Sequence, residues 1–278
     1  MRAIVKRDCA RADRTWSLAI SRAFALGLLV AASPMHPLQA AECPKAIEPN
    51  IPAIEQPAVN IDKHKKQLLA YKNSQAYDKD IAAVMDGATR YVKERAAENR
   101  KLPAEQMKRL AIVLDIDETS LSNWPNLEAN NFGFIPGGTC FLEPGLACGF
   151  ADWIDKGSAP AIKPTLDFFK TARSKEVDVA VFFITGRRNS QRVITMANLD
   201  RAGFQGWAGL ATRPDDEHGS IVPFKTRERE KLTKDGYTII ASIGDQETDL
   251  IDNDKVDGKR DQFSECQIKL PNPFYFVD

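Results

Sequence analysis

Leu110-Ala111-Ile112-Val113-Leu114-Asp115-Ile116-Asp117-Glu118-Thr119 is the stretch from which the fold can be read. A run of apolar residues stops abruptly at acidic and hydroxyl residues and leads into Ser120-Leu121-Ser122-Asn123. Such a run predicts a buried parallel strand that ends in a loop. In open α/β sheets ligands sit in the crevice beyond the carboxyl ends of the strands. Asp115 and Asp117 would crowd like charge into a partly dry site there. That costs energy unless a cation lies between them or one carboxyl holds a proton. The plain alternative is an acidic surface turn after a strand. The rest of the chain decides against it.

Downstream, Leu166–Arg173 reads as a helix and Val177–Ile184 as a second buried strand, ending in Thr185-Gly186-Arg187-Arg188. Arg192–Ala202 reads as a helix closed by Gly203. Trp207–Leu210 is a short strand, and Pro223-Phe224-Lys225-Thr226 opens a charged helix through Leu232. Tyr237–Ile243 is another buried strand, ending in Gly244-Asp245-Gln246-Glu247-Thr248-Asp249, and Phe274–Val277 reads as a last strand. Alternation of strand and helix predicts an α/β fold, a doubly wound, Rossmann-like parallel sheet with helices on both faces. Residues 124–164, dense in Pro, Gly and Asn, form a loop insertion with one short helix around Ala151–Lys156. A loop that long after such a strand is usually functional and is expected to shape the pocket wall. Trp124, Phe132, Phe134 and Trp153 either stack on a substrate ring or pack the loop onto the body.

Upstream, residues 41–105 read as a proline-punctuated extension followed by a helical appendage of two helices broken near Ser74. Lys63-His64-Lys65-Lys66 is a short solvated face. Residues 1–40 place Arg2, Lys6, Arg7, Arg11, Arg14 and Arg22 before and around the apolar stretch Ala23–Ala32, which Pro34, Pro37 and then Ala40-Ala41 follow. That order is expected of a secretory signal peptide, and the apolar stretch is too short to span a bilayer comfortably. A buried N-terminal helix would not explain the basic flank and the small-residue exit together. Glu42 makes Cys43 a poor lipid-attachment site, so the reading is of an exported periplasmic or secreted protein with no stable membrane anchor. Taking the six basic and two acidic residues of 1–40 from the 38 and 38 of the chain leaves 32 and 36, a net of −4. A mildly acidic body gives no electrostatic case for a nucleic-acid polymer as partner. Cys43, Cys140, Cys148 and Cys266 then remain, an even set that allows three disulfide connectivities in an oxidising compartment. The Pro/Gly loop between Cys140 and Cys148 favours that pair, leaving Cys43 with Cys266. Nothing in the sequence fixes the oligomeric state.

Three strand ends and one helix start therefore carry Asp115 and Asp117, Thr185, Lys225, and Asp245 and Asp249. In this order the set resembles the haloacid dehalogenase (HAD) superfamily, subfamily IIIB, and within it the class C bacterial acid phosphatases and their plant storage-protein relatives. Asp115-Ile116-Asp117-Glu118-Thr119 matches a first motif and Phe183-Ile184-Thr185-Gly186-Arg187 a second. Lys225-Thr226 with Arg229 resembles a third, and Gly244–Leu250 a fourth; the ending Lys269–Tyr275 is also similar. The resemblance implies a HAD-like phosphatase core over 106–278 and Mg²⁺-dependent hydrolysis of phosphomonoesters through an aspartyl-phosphate. It makes Asp115 the nucleophile and Asp117 the acid/base. It gives Mg²⁺ to Asp115, the backbone carbonyl of Asp117 and Asp245, with Asp249 alongside or through water. Thr185 and Lys225 then hold the phosphoryl oxygens. Arg187 and Asn123 are assigned to substrate binding, an ion pair with the body being the alternative for Arg187. The substrate is a small phosphomonoester, for which a 5′-nucleotide, a sugar phosphate or a broad range would all suit.

Two rivals share parts of this pattern. A receiver-type phosphoacceptor also uses acidic residues, a hydroxyl, a lysine and Mg²⁺, but the export signal and Asp117 argue against it. An exported non-catalytic storage or binding protein of the same fold is the second, and the intact set of Asp115, Asp117, Lys225 and Asp245 weighs against it. A histidine phosphatase is excluded, since no Arg-His-Gly motif occurs.

Overall fold

A computed structural model describes residues 41–47, 60–143, 145–252 and 261–277. The expected signal peptide lies outside them. Five parallel strands form one sheet: β1 (Arg109–Leu114), β2 (Ala180–Arg188), β3 (Gly209–Arg213), β4 (Tyr237–Gly244) and β5 (Gln267–Lys269). Their order is β3-β2-β1-β4-β5. The order reverses at β1, so the crevice between the carboxyl ends of β1 and β4 is the switch point where this architecture binds ligands. The doubly wound sheet read from the alternating pattern is present.

Seven α-helices are described: α1 (Ile61–Asn73), α2 (Ala76–Arg100), α3 (Trp124–Ala129), α4 (Phe150–Lys156), α5 (Lys163–Ala172), α6 (Arg192–Ala202) and α7 (Val222–Lys234). Ile112 and Leu114 of β1 join one hydrophobic cluster with residues of α2, α5 and α6. Val113, between them, joins a second cluster with Ile221 and Phe224 at the start of α7. Alternate residues of one strand thus feed opposite faces, which is why the central strand is apolar from Leu110 onward. Gly203 closes α6 with φ +97°, the left-handed C-cap that glycine adopts without a Cβ penalty.

Several element boundaries differ from the sequence reading. The two N-terminal helices, expected as an appendage, are built into the body. Tyr77, Ile81, Met85 and Ala88 of α2 belong to the main core, and the Tyr77 and Phe274 rings meet edge to face at 5.0 Å. β2 begins at Ala180 because Asp178 takes a left-handed turn (φ +54°) and Val179 pairs back onto Ala172 O. It also runs on through Thr185-Gly186-Arg187-Arg188. β3 lies later than Trp207–Leu210, since its pairing with β2 starts at Gly209, where a Cβ would come within 2.8 Å of the Phe182 ring. The last strand is Gln267–Lys269, not Phe274–Val277, where no strand forms. Pro271 and Pro273 interrupt pairing there, and Phe274 packs into the core instead. The insertion holds a second helix, α3, hidden from a composition argument because Pro125, read as a loop residue, occupies its first turn.

Both expected disulfides are present, Cys43–Cys266 and Cys140–Cys148. The first ties the N-terminal extension to the residue before β5. The second closes a short loop between α3 and α4. Among the described residues no helix is long and apolar enough to cross a membrane.

Candidate active site

The last pairing of β1 is made by the Asp115 N–H, which donates to Ile243 O at 3.0 Å. The chain then winds into a tight loop. Ser120 and Leu121 N–H both donate to Ile116 O at 2.8 Å, and Ser120 Oγ donates to Asp115 O at 2.7 Å. Glu118 supplies the reversal with φ +53°, uncommon for a residue with a Cβ. Ile116 is fully buried, so the two aspartates that flank it emerge from the opposite side of the chain.

Asp115, Asp245 and Asp249 meet at the ends of β1 and β4, with one carboxylate oxygen of each lying within 4.8 Å of the others. Lys225 Nζ, carried by the first turn of α7, donates to Asp115 Oδ1 at 2.7 Å and also to Asp249 Oδ1. Burial, then the Asp249 charge, push the Asp115 carboxyl well above the usual carboxylate range, against the pull of Lys225. Burial and Asp249 raise Asp245 to about 6. Burial alone would lower Lys225, yet Asp115 and Asp249 hold its ammonium above the ordinary lysine value. Three converging carboxylates against one lysine leave a net negative, all-oxygen cluster, the donor set that a hard divalent cation such as Mg²⁺ prefers.

Asp249 reaches this place because Gly244 lets it. A Cβ on Gly244 would lie 2.2–2.4 Å from the Asp249 side chain. Gly244→Ala is expected to push Asp249 off its place and destabilise the fold by about 1–3 kcal/mol, the usual range for overpacking. Thermal melts and Mg²⁺ titration of the variant check this. An unchanged melting temperature with unchanged metal response would sink the argument.

Asp245 is held from several directions. Thr119 Oγ1 donates to Asp245 Oδ1 at 3.0 Å, while Gln246 Nε2 and Asn272 Nδ2 donate to Oδ2 at 2.6 and 2.7 Å. Lys269 Nζ donates to its backbone carbonyl at 2.5 Å. Such outer hydrogen bonds orient a ligating carboxylate.

Asp117 stands apart from the three-carboxylate cluster. Arg187 grips it, Nη2 donating at 2.7 Å and Nε at 3.1 Å to Oδ1. Asn123 Nδ2 adds a bond at 2.9 Å. Burial would raise the Asp117 carboxyl, but the Arg187 charge and these hydrogen bonds bring it below the usual value. Arg187 is therefore paired with the neighbouring aspartate, not with a remote part of the body. Thr185 is fully buried beside it, its Oγ1 accepting from Arg187 N–H at 3.2 Å. Asn123 is 1% exposed and wholly engaged with protein groups, which departs from its assignment to substrate binding. The insertion aromatics also divide. Trp124 and Phe132 pack against Phe274 at 5.3 and 6.2 Å, Trp153 is buried, and Phe134 is exposed beside Phe150.

Residues 40–278 match the family model of the HAD superfamily, subfamily IIIB (acid phosphatase). The chain belongs to this subfamily. Acid phosphatase 1 of Solanum lycopersicum is 31% identical over 166 residues, covering 59% of this chain and 58% of its own length. Vegetative storage protein 1 of Arabidopsis thaliana is 29% identical over 166 residues, covering 59% and 54%. The chain thus spans less than three fifths of these two curated relatives. The structure of the class C acid phosphatase from Bacillus anthracis with tungstate bound superposes with a TM-score of 0.54 at 25% identity, covering 76% of this chain and 86% of that one. The matched residues contain the whole parallel sheet and Asp115, Lys225, Asp245 and Asp249.

The sequence reading passed over Glu118, Thr119 and Gln246, although all three lie inside the quoted motifs. Lys269 and Asn272 lay in the chain ending that resembled the family, with no role attached. Their bonds to Asp245 cross 24 and 27 residues, beyond any local pattern.

Proposed function

We propose that this chain is a Mg²⁺-dependent phosphomonoesterase that forms an aspartyl-phosphate on Asp115. The convergence of Asp115, Asp245, Asp249 and Lys225 at the switch point carries this reading. Tungstate, found on a related class C acid phosphatase, is a tetrahedral oxyanion of phosphate's shape and supports a phosphoryl site in the same fold.

Asp115, Asp245, Asp249 and the Asp117 carbonyl are the groups that would hold Mg²⁺. When bound, it neutralises charge on the phosphoryl oxygens and on the crowded carboxylates. Lys225 and Thr185 bind the phosphoryl group, and Asp115 attacks phosphorus in line. Asp117 starts as an anion on Arg187, so the leaving group's proton must come from elsewhere. Phosphomonoesters lose their second proton at about pH 6, and in more acid solution the ester arrives as a monoanion. Its proton passes to Asp117 and from there to the leaving alcohol as the ester bond breaks. In the second step Asp117 takes a proton from water, whose oxygen attacks the phosphorus and frees Asp115. Arg187 steadies Asp117 between these transfers. The basic and apolar segment before Ala41, with two disulfides, fits an exported protein acting in the periplasm or outside the cell.

A second reading, a storage or binding protein, is favoured by the likeness to Vegetative storage protein 1. Purified mature protein with Mg²⁺ is expected to hydrolyse a panel of phosphomonoesters, 5′-nucleotides included, releasing inorganic phosphate. Absence of turnover across the panel would overturn the phosphatase reading and favour the storage one.

A further inference from the structure

Asn123 stands at the N-cap of α3, a position where asparagine ordinarily bonds the helix's own N–H groups. Its side chain makes no capping bond. Instead Nδ2 donates to Asp117 Oδ1 at 2.9 Å and to Glu118 Oε2 at 3.0 Å, while Oδ1 accepts from the Trp153 indole N–H at 2.7 Å. An indole N–H can only donate, so Trp153 fixes which way the amide faces. The carbonyl must meet the indole, and the NH₂ must meet the carboxylates. Asn123 and Trp153 are 1% and 2% exposed, so no water competes for these bonds.

We propose that Asn123 and Trp153 are positioning residues for Asp117, and that the 124–164 insertion acts on proton transfer to the leaving group. The inference rests on the phosphatase reading and extends it. Trp153 lies on α4, and the loop closed by the Cys140–Cys148 disulfide bonds to both α3 and α4. Cys140 N–H donates to Asp152 Oδ2 of α4 at 2.7 Å, and Asn126 Nδ2 of α3 donates to Cys148 O at 2.8 Å. The clamp holds the two helices in the arrangement that brings the indole to Asn123. Arg187 supplies a second grip on the same Oδ1, so Asp117 is held by two residues. A carboxylate so held keeps one position while its proton comes and goes, and a leaving alcohol meets it at a set distance.

The test compares a phenolic ester with a good leaving group, p-nitrophenyl phosphate, and an alkyl ester, glycerol 2-phosphate, on the full mature chain with Mg²⁺. Proton delivery matters for the alkyl ester and little for the phenolic one. Trp153→Phe keeps most of the ring volume and loses only the N–H. It is expected to lower kcat/KM, which reports transfer to Asp115 and not the shared second step, about tenfold more for the alkyl ester than for the phenolic ester. Asn123→Ala should widen that gap toward about 10²-fold, the lower range of acid–base assistance. Should Asn123→Ala fail to fold, Trp153→Phe decides alone. Equal losses of kcat/KM on both esters would mean a structural role, and a raised KM with kcat intact would mean substrate contact; either overturns the proposal. Wild-type protein inactive on both esters would instead bring down the phosphatase reading, and the proposal with it.

Discussion

Asp115→Asn is expected to abolish phosphoenzyme and to lower kcat by about 10⁵–10⁶-fold, the scale seen when an enzyme loses its nucleophile. An amide oxygen in the same place lacks the charge to attack phosphorus and is only an uncharged, weaker ligand for a cation. The fold should survive. Asp115 is a buried carboxylate disfavoured as an anion by burial and by Asp249, so replacing it relieves repulsion. Lys225 loses one partner and keeps Asp249. Rapid-quench trapping with labelled substrate checks the assignment. Acid-stable, hydroxylamine-labile label should appear on the wild type and none on Asp115→Asn. Label on the variant would place the nucleophile elsewhere. Asp117→Asn provides the contrast, since it keeps the nucleophile and removes only the proton carrier, worth about 10²–10⁴-fold. The gap between the two variants separates attack from proton transfer.

How much of this was legible depends on how local each signal is. β1 and β4 could be read because apolar runs stop sharply at Asp115 and Asp245, and the end of α6 because Gly203 marks it. The start of β2 could not. Val177-Asp178-Val179 is as strand-like in pattern as Ala180–Ile184, and only the return of Val179 N–H to Ala172 O takes it out of the sheet. Phe274–Val277 has strand composition, but its aromatics are committed elsewhere. Phe274 joins Tyr77 and Trp124, and Tyr275 Oη donates to Glu118 Oε2 at 2.8 Å.

The candidate site divides the same way. Asp115, Lys225 and Asp245 sit at a strand end or helix start, so topology brings them together, and Asp249 joins them across Gly244. Thr119 and Gln246 are adjacent to site residues, and their bonds to Asp245 are chemically ordinary. Asn123 was visible as a residue but not as a partner, because its meaning depends on Trp153 thirty positions away. Arg187 was open between substrate and ion pair, and no spacing rule could rank Asp117 among its partners. Chain contacts of this range are set by packing and have no sequence period.

Chelation is expected to remove activity by about 10³-fold or more, since metal assistance supplies several kcal/mol of charge stabilisation. The reason lies in the charges around the crevice. Asp115, Asp117, Glu118, Asp245 and Asp249 contribute five carboxylates. Lys225 is engaged with Asp115 and Asp249, and Arg187 with Asp117. Lys269 reaches the backbone carbonyl of Asp245 and Arg229 those of Asp249 and Ile251, and Arg229 pairs its charge with Asp261. Without a cation, burial first and then the Asp249 charge lift Asp245 to about 6, and burial, then the Asp245 and Asp117 charges, lift Glu118 to about 8. This fixes the sign for stability. A carboxyl whose folded pKa is raised binds more protons folded than unfolded, so metal-free protein loses stability as pH rises from about 3.8 through 6 and on toward 8. Asp117, lowered by Arg187, acts oppositely but only below the ordinary carboxylate range. Mg²⁺ should reverse the trend, displacing protons from Asp245 and gaining affinity as pH rises through about 6. At about 100 times its Kd it adds about 2.7 kcal/mol, a rise in melting temperature of about 5–10 °C for a chain of this size. Melts at pH 5 and pH 8, with chelator and with Mg²⁺, test both halves at once. The Mg²⁺ shift should be larger at pH 8 and should shrink in Asp245→Asn. Full activity in excess chelator, or a shift independent of Asp245, would remove the metal from this site.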